Sequence, residues 1–140
     1  MGDSTPPPDA AARRREDAAL RARLHQGQAL HESARAQKLV DEFVAEARRR
    51  AIATQPLVAS TLDGHTVKTD KVGWYIRANR SVAVGDDGQY YVLTVPAGFM
   101  ARLRGVKLEP SPPPLVVGRG GRDGDSGDLS SFLAWRLEQG

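Results

Sequence analysis

The stretch LVASTLDGHTVKTDKVGWYI, residues 57–76, decides the fold. Apolar and polar residues alternate through it with a period of two, and Asp63-Gly64 interrupts the alternation with a dipeptide that favours a tight hairpin turn. Leu57 to Leu62 and His65 to Thr69 therefore read as an antiparallel pair of strands. Val72 to Ala78 follows as another, placing Val72, Trp74 and Ile76 on one face and Gly73, Tyr75 and Arg77 on the other. Downstream, Val82 and Val84 alternate in a short strand, Asp86-Asp87-Gly88 turns the chain, and Gln89 to Val95 runs back with Tyr91, Leu93 and Val95 on one side. Two successive hairpins predict a mainly antiparallel sheet. Arg102 to Glu109 reads as a further strand carrying Leu103, Val106 and Leu108. Leu115 to Val117 is placed at a sheet edge, because Pro110, Pro112, Pro113 and Pro114 forbid a central strand there.

Upstream of Pro56 the period lengthens to that of a helix. Ala36, Leu39, Val40, Phe43, Val44 and Ala47 recur at three- and four-residue steps on one face. Gln55 precedes proline, which disfavours helical angles, so this helix is expected to stop near Ala53. Between Ala10 and about Arg35 the composition still favours helix, but Leu20, Leu24 and Leu30 are its only large apolar residues and Gly27 weakens it. Residues 9–35 therefore read as a solvated or fraying helix whose order depends on a partner, preceded by a disordered arm at 1–8 containing three prolines. A closing helix over Leu129 to Glu138 puts Leu129, Phe132, Leu133 and Leu137 on one face, capped by Ser126 or Asp128.

The reading is an α+β protein with a long N-terminal helix, a mainly antiparallel sheet of five to six strands and a short C-terminal helix. Residues 36–140 form a single domain with a Pro/Gly-rich loop at 110–127. Its expected core is Leu39, Val40, Phe43, Val44, Val67, Trp74, Ile76, Val82, Val84, Tyr91, Leu93, Leu103, Val106, Phe132 and Leu133.

Composition bounds the function. A chain of 140 residues supports one core, and no apolar run approaches the roughly 20 residues of a membrane span. The absence of Cys excludes a disulfide scaffold, a thiolate zinc site and a thiol nucleophile. Met1 to Pro8 lacks the basic and apolar regions of a secretory signal, so a cytoplasmic location is expected. The net charge of +3 and the pI of about 9.6 invite a nucleic-acid reading, supported by Arg clusters at 13–15, 21–23 and 48–50. Against it, 16 of the 20 basic residues are Arg and 19 residues are Ala, a bias that GC-rich coding produces unaided.

Three groups of residues could carry chemistry. Arg119, Gly120, Gly121 and Arg122 lie in a Gly-rich loop before a helix start, where amides and guanidinium groups can hold an anion. Asp123, Asp125 and Asp128 would repel that anion. They offer hard oxygens to calcium or magnesium instead, although Ala134 stands where an EF-hand loop requires its bidentate Glu. A flexible connector is the competing reading of the whole loop. The second group is Tyr75, Arg77, Arg80 and Tyr90, aromatics interleaved with Arg that could stack bases or meet another macromolecule, with Tyr75 and Tyr90 expected on the side away from the main apolar set. The third is catalytic: His25, His31 and His65 lack a metal spacing, and Asp86 and Asp87 sit in a turn, where Asp serves backbone hydrogen bonding. No motif indicates an enzyme or a cofactor.

Gly73-Trp74-Tyr75-Ile76-Arg77, Ser81-Val82-Ala83-Val84-Gly85, Tyr90-Tyr91-Val92-Leu93-Thr94-Val95-Pro96 and the Pro112 to Leu129 segment resemble a set of small uncharacterised actinobacterial proteins. The resemblance covers roughly Leu39 to Leu137 and implies a bacterial cytoplasmic origin with no known activity, so it carries over no site residues. Together these readings favour a non-enzymatic binding or adaptor protein that recognises a protein partner or itself, with nucleic-acid binding as the alternative and no membrane involvement.

Overall fold

A computed structural model describes residues 8–96, 104–118 and 126–140. It has an α+β architecture in which helix α1 (Pro8–Arg49) precedes strands β1 (Gln55–Thr61), β2 (Thr66–Tyr75), β3 (Val82–Gly85), β4 (Tyr90–Val92) and β5 (Thr94–Val95). A two-stranded ribbon, β6 (Val116–Val117) and β7 (Gly127–Asp128), leads into helix α2 (Leu129–Gln139). The chain divides into two compact units, Met1–Glu32 and Ser33–Gly140, with the boundary inside α1.

In the second unit, α1 buries the stripe read from its periodicity: Ala36, Val40, Phe43, Val44 and Ala47 are all in the core, with Leu39 partly buried beside them. The helix ends at Arg49, four residues before the expected stop. Ala51 adopts a left-handed φ of 56°, Ile52 N–H donates to Ala47 O and Ala51 N–H donates to Arg48 O, a Schellman arrangement that satisfies the last carbonyls without glycine. Ile52 enters the core, and its carbonyl accepts a hydrogen bond from Trp74 Nε1 at 3.0 Å. Phe43 meets Trp74 edge to face, ring centroids 5.7 Å apart.

β1 and β2 form the hairpin read from Asp63-Gly64, with Gly64 at a φ of 89°. The two strands expected at His65 to Thr69 and Val72 to Ala78 are one strand. Pairing jumps from Val58↔Lys68 to Pro56↔Val72, so the residues between Lys68 and Val72 bulge while β2 continues. β3 pairs with β2, and β4 with β3, both antiparallel. Gly73 is required where β2 meets β3, because a Cβ there would stand 2.1 Å from Val84 O.

Leu93 alone separates β4 from β5, yet β4 lies beside β3 and β5 pairs parallel with β1, giving the order β4-β3-β2-β1-β5. Leu93 N–H donates to Ser81 O and Leu93 O accepts from Ser60 N–H, so this one residue is bonded toward both edges. The sheet closes into a ring. Closure creates two apolar clusters. Trp74, Ile76, Val82, Val84 and Tyr90 pack under α1 and α2, while Leu57, Tyr75, Ala83, Tyr91, Leu93 and Leu108 fill the opposite face.

The observed pairing corrects three expectations. Tyr91 and Leu93 are core residues, but on the face opposite Trp74, because Trp74 aligns across the sheet with Val84 and then Tyr90. The segment around Val106 forms only an isolated parallel bridge to Thr69 rather than a strand, although Val106 and Leu108 do pack on the inner cluster. Val116–Val117 pairs with Gly127–Asp128 instead of edging the main sheet. Phe132 packs partly buried on the helix-side core, and Leu133 is buried there. Leu103 lies outside the described residues.

Candidate functional site

The four residues proposed as an aromatic and Arg recognition face do not form one. Tyr75 is buried in the inner cluster and its hydroxyl accepts a hydrogen bond from Val58 N–H at 2.9 Å. Tyr90 is buried in the other cluster, beneath the helices. Burial pushes its phenol up to about 12, with nearby Arg77 opposing part of that rise. Arg77 is itself 92% removed from solvent, its guanidinium stacked on the Phe132 ring at 5.1 Å and its Nη1 3.5 Å from Ser81 Oγ. Only Arg80 is exposed, and it lies 5.2 Å over the Tyr75 ring. The correction has the same cause as the one above: a sheet that closes has no wet face at Tyr75, and pairing to Val84 carries Tyr90 under the helices.

The Arg cluster at 48–50 is also committed within the fold. Arg48 Nη2 donates to Asp86 O at 2.6 Å, and Arg50 Nη1 donates to Leu137 O at 3.2 Å, near the C-terminal end of α2. Arg49 and Arg50 both bind the Glu46 carboxylate, whose pKa their hydrogen bonds hold down at about 2. Asp87 serves its turn, accepting from Gln89 N–H at 3.0 Å and from the Tyr91 hydroxyl. His65 Nδ1 lies 3.2 Å from Asp63 Oδ1 in the β1–β2 turn, and both side chains are half exposed.

Arg119, Gly120, Gly121, Arg122, Asp123 and Asp125 lie outside the described residues. Asp128 is the N-cap residue of α2, with extended φ and ψ of −69° and 138°, but its side chain makes no capping hydrogen bond. Among the described residues, no group of three metal-binding side chains converges and no helix is long and apolar enough to cross a membrane.

The unit Met1–Glu32 presents a different surface. Over residues 11–30 every α1 side chain is exposed, including Leu20 at 53%, Leu24 at 59% and Leu30 at 72%. Leu20 and Leu24 are one helical turn apart and share a face, with Arg21 and Arg23 on the flanks.

A further basic site had no motif to announce it. Lys68, Arg104 and Lys107 line a cleft of about 410 Å³ beside the β2 bulge, together with Thr69, Asp70 and Gly105. The available signal was frequency rather than spacing: the chain uses Lys four times, and Lys68, Lys71 and Lys107 all stand at this bulge. Comparison with known proteins adds no relative, since no family model, curated protein or solved structure matches the chain.

Proposed function

We propose that this chain is a non-enzymatic binding or adaptor protein, acting on a protein partner through α1 within residues 8–32. The observation that carries the reading is the exposure of Leu20, Leu24 and Leu30 on a helix where no buried hydrophobic residue stands among the described residues of its own unit. An amphipathic helix with leucines one turn apart is a common anchor for an apolar groove on a partner, and helix-in-groove recognition concentrates its energy in a few such side chains. Arginines at 13–15, 21 and 23 set the preference for a groove with an acidic rim.

The test compares the full chain with its Leu20→Glu/Leu24→Glu variant, by light scattering and by affinity capture from a host lysate with quantitative identification. A protein captured by the wild type and lost in the variant, with thermal unfolding unchanged, supports the reading. A mass that halves in the variant makes the partner a second copy of the chain. Identical masses and identical captured proteins for both forms overturn it.

A further inference from the structure

The cleft beside the β2 bulge is built rather than incidental. Where pairing with β1 breaks, the segment 104–108 lies along the opposite edge of β2: Val106 N–H donates to Lys68 O at 2.8 Å, and Asp70 N–H donates to Val106 O at 3.2 Å. This parallel bridge aligns Thr69 with Val106, with Val106 against the inner cluster and its neighbours Gly105 and Lys107 on the other side of the segment. Gly105 has a φ of 82°, and a Cβ there would stand 3.0 Å from Lys68 O. The floor between the cations is therefore bare backbone.

Charge among the described residues of the cleft is unbalanced. Asp70 is the only acid among them, and its carboxylate is engaged: Oδ1 accepts from Leu108 N–H at 2.9 Å, and Oδ2 lies 3.5 Å from Lys71 Nζ. The Leu108 N–H, and after it Lys71, hold the Asp70 carboxyl below the usual range. Lys71 thus answers the Asp70 charge from outside the cleft. Among the described residues, no carboxylate pairs with Lys68, Arg104 or Lys107. A single carboxylate ligand would leave most of this charge unmatched, whereas a phosphoryl group brings up to two charges and three acceptor oxygens to three donor side chains.

We infer that the cleft formed by Lys68, Arg104 and Lys107 over Gly105 binds the phosphoryl group of a phosphate-bearing ligand. The inference is independent of α1 and its leucines. Two sources share this chemistry, a free small phosphate compound and the backbone of a single-stranded nucleic acid, and the volume admits either.

The test titrates the full chain with pyrophosphate, with a mixed-sequence single-stranded oligonucleotide and with acetate, following the amide resonances of Gly105, Val106 and Lys107 at two salt concentrations. Saturable shifts with pyrophosphate and not acetate assign a small phosphate ligand. Shifts with the oligonucleotide alone assign the nucleic-acid backbone. Either result requires that Lys107→Gln and Arg104→Gln each weaken binding about tenfold, with unfolding midpoints unchanged. In the oligonucleotide case each variant also lowers the salt slope by about 0.7. The inference is overturned if neither phosphate probe shifts these amides, if acetate shifts them equally, or if the two variants bind as the wild type does.

Discussion

The two faces of the closed sheet are buried to similar depth by different means. Trp74, Ile76, Val82, Val84 and Tyr90 are covered by helices that bring their own apolar stripes. The opposite face, with Leu57, Tyr75, Ala83, Tyr91 and Leu93, is covered by the curl of the sheet itself and by Leu108 from a segment without regular structure. Polar atoms show the same division. On the helix side Trp74 finds a backbone carbonyl in the turn after α1, whereas Tyr75 and Tyr91 find theirs within the strands and turns of the sheet. Strand alternation specifies that two faces exist, but coverage of the second depends on where the strand ends are carried.

Substitutions that distinguish the two faces test this contrast, and Trp74→Ala has the largest expected effect. Removing the indole leaves a cavity against Phe43 and orphans the Ile52 carbonyl, so stability in a urea titration should fall by about 3–5 kcal/mol. Leu93→Ala probes the inner face, with an expected loss of about 2–5 kcal/mol. A loss below about 1 kcal/mol would show that this face collapses around the missing side chain and is not packed like the other. Tyr75→Phe keeps the ring but takes the acceptor from Val58 N–H, and should cost about 1 kcal/mol. Tyr91→Phe should cost less, because exposed Asp87 regains water when the hydroxyl is lost.

The last comparison is invisible at neutral pH. Tyr90, on the helix side, has its phenol raised from 10.0 to about 12 chiefly by burial, and Tyr91, on the inner side, is raised by burial and then by Asp87. A raised phenol pKa means that the unfolded chain releases its proton first, so the stabilising contribution is complete below pH 10 and is lost between pH 10 and about 12. Phenolate absorbance from Tyr90 and Tyr91 should therefore appear together with loss of the fold, and Tyr90→Phe should flatten the decline. A phenolate signal that develops fully while circular dichroism stays native would refute burial of both rings.

Local pattern carried much of this architecture. The helical stripe from Ala36 to Ala47, the Asp63-Gly64 hairpin, the turn before Gln89 and the Leu129 to Leu137 face were all legible, because each rests on neighbours a few residues apart. Closure was not. It depends on Leu93 satisfying Ser81 and Ser60 at once, and neither partner is signalled by spacing. The misassigned recognition face has two sources, since Tyr75 reads as exposed only while the sheet is taken to be open, and Tyr90 only while its cross-strand alignment with Val84 and Trp74 is unknown. Lys68, Arg104 and Lys107 escaped for a related reason, being joined by a bridge between distant segments rather than by a motif.

The seam at Leu93 also carries the most non-local pairing of the main sheet. The β1–β2 and β3–β4 hairpins bring together residues already near in sequence, and such pairs close in microseconds. The parallel join of Ser60–Thr61 to Thr94–Val95 gathers the two ends of the whole strand-forming stretch, and its loop entropy is compensated only once both hairpins stand. The join is two residues long, so in native-state hydrogen exchange the amides across β5 should open at a lower free energy than those of the two hairpins.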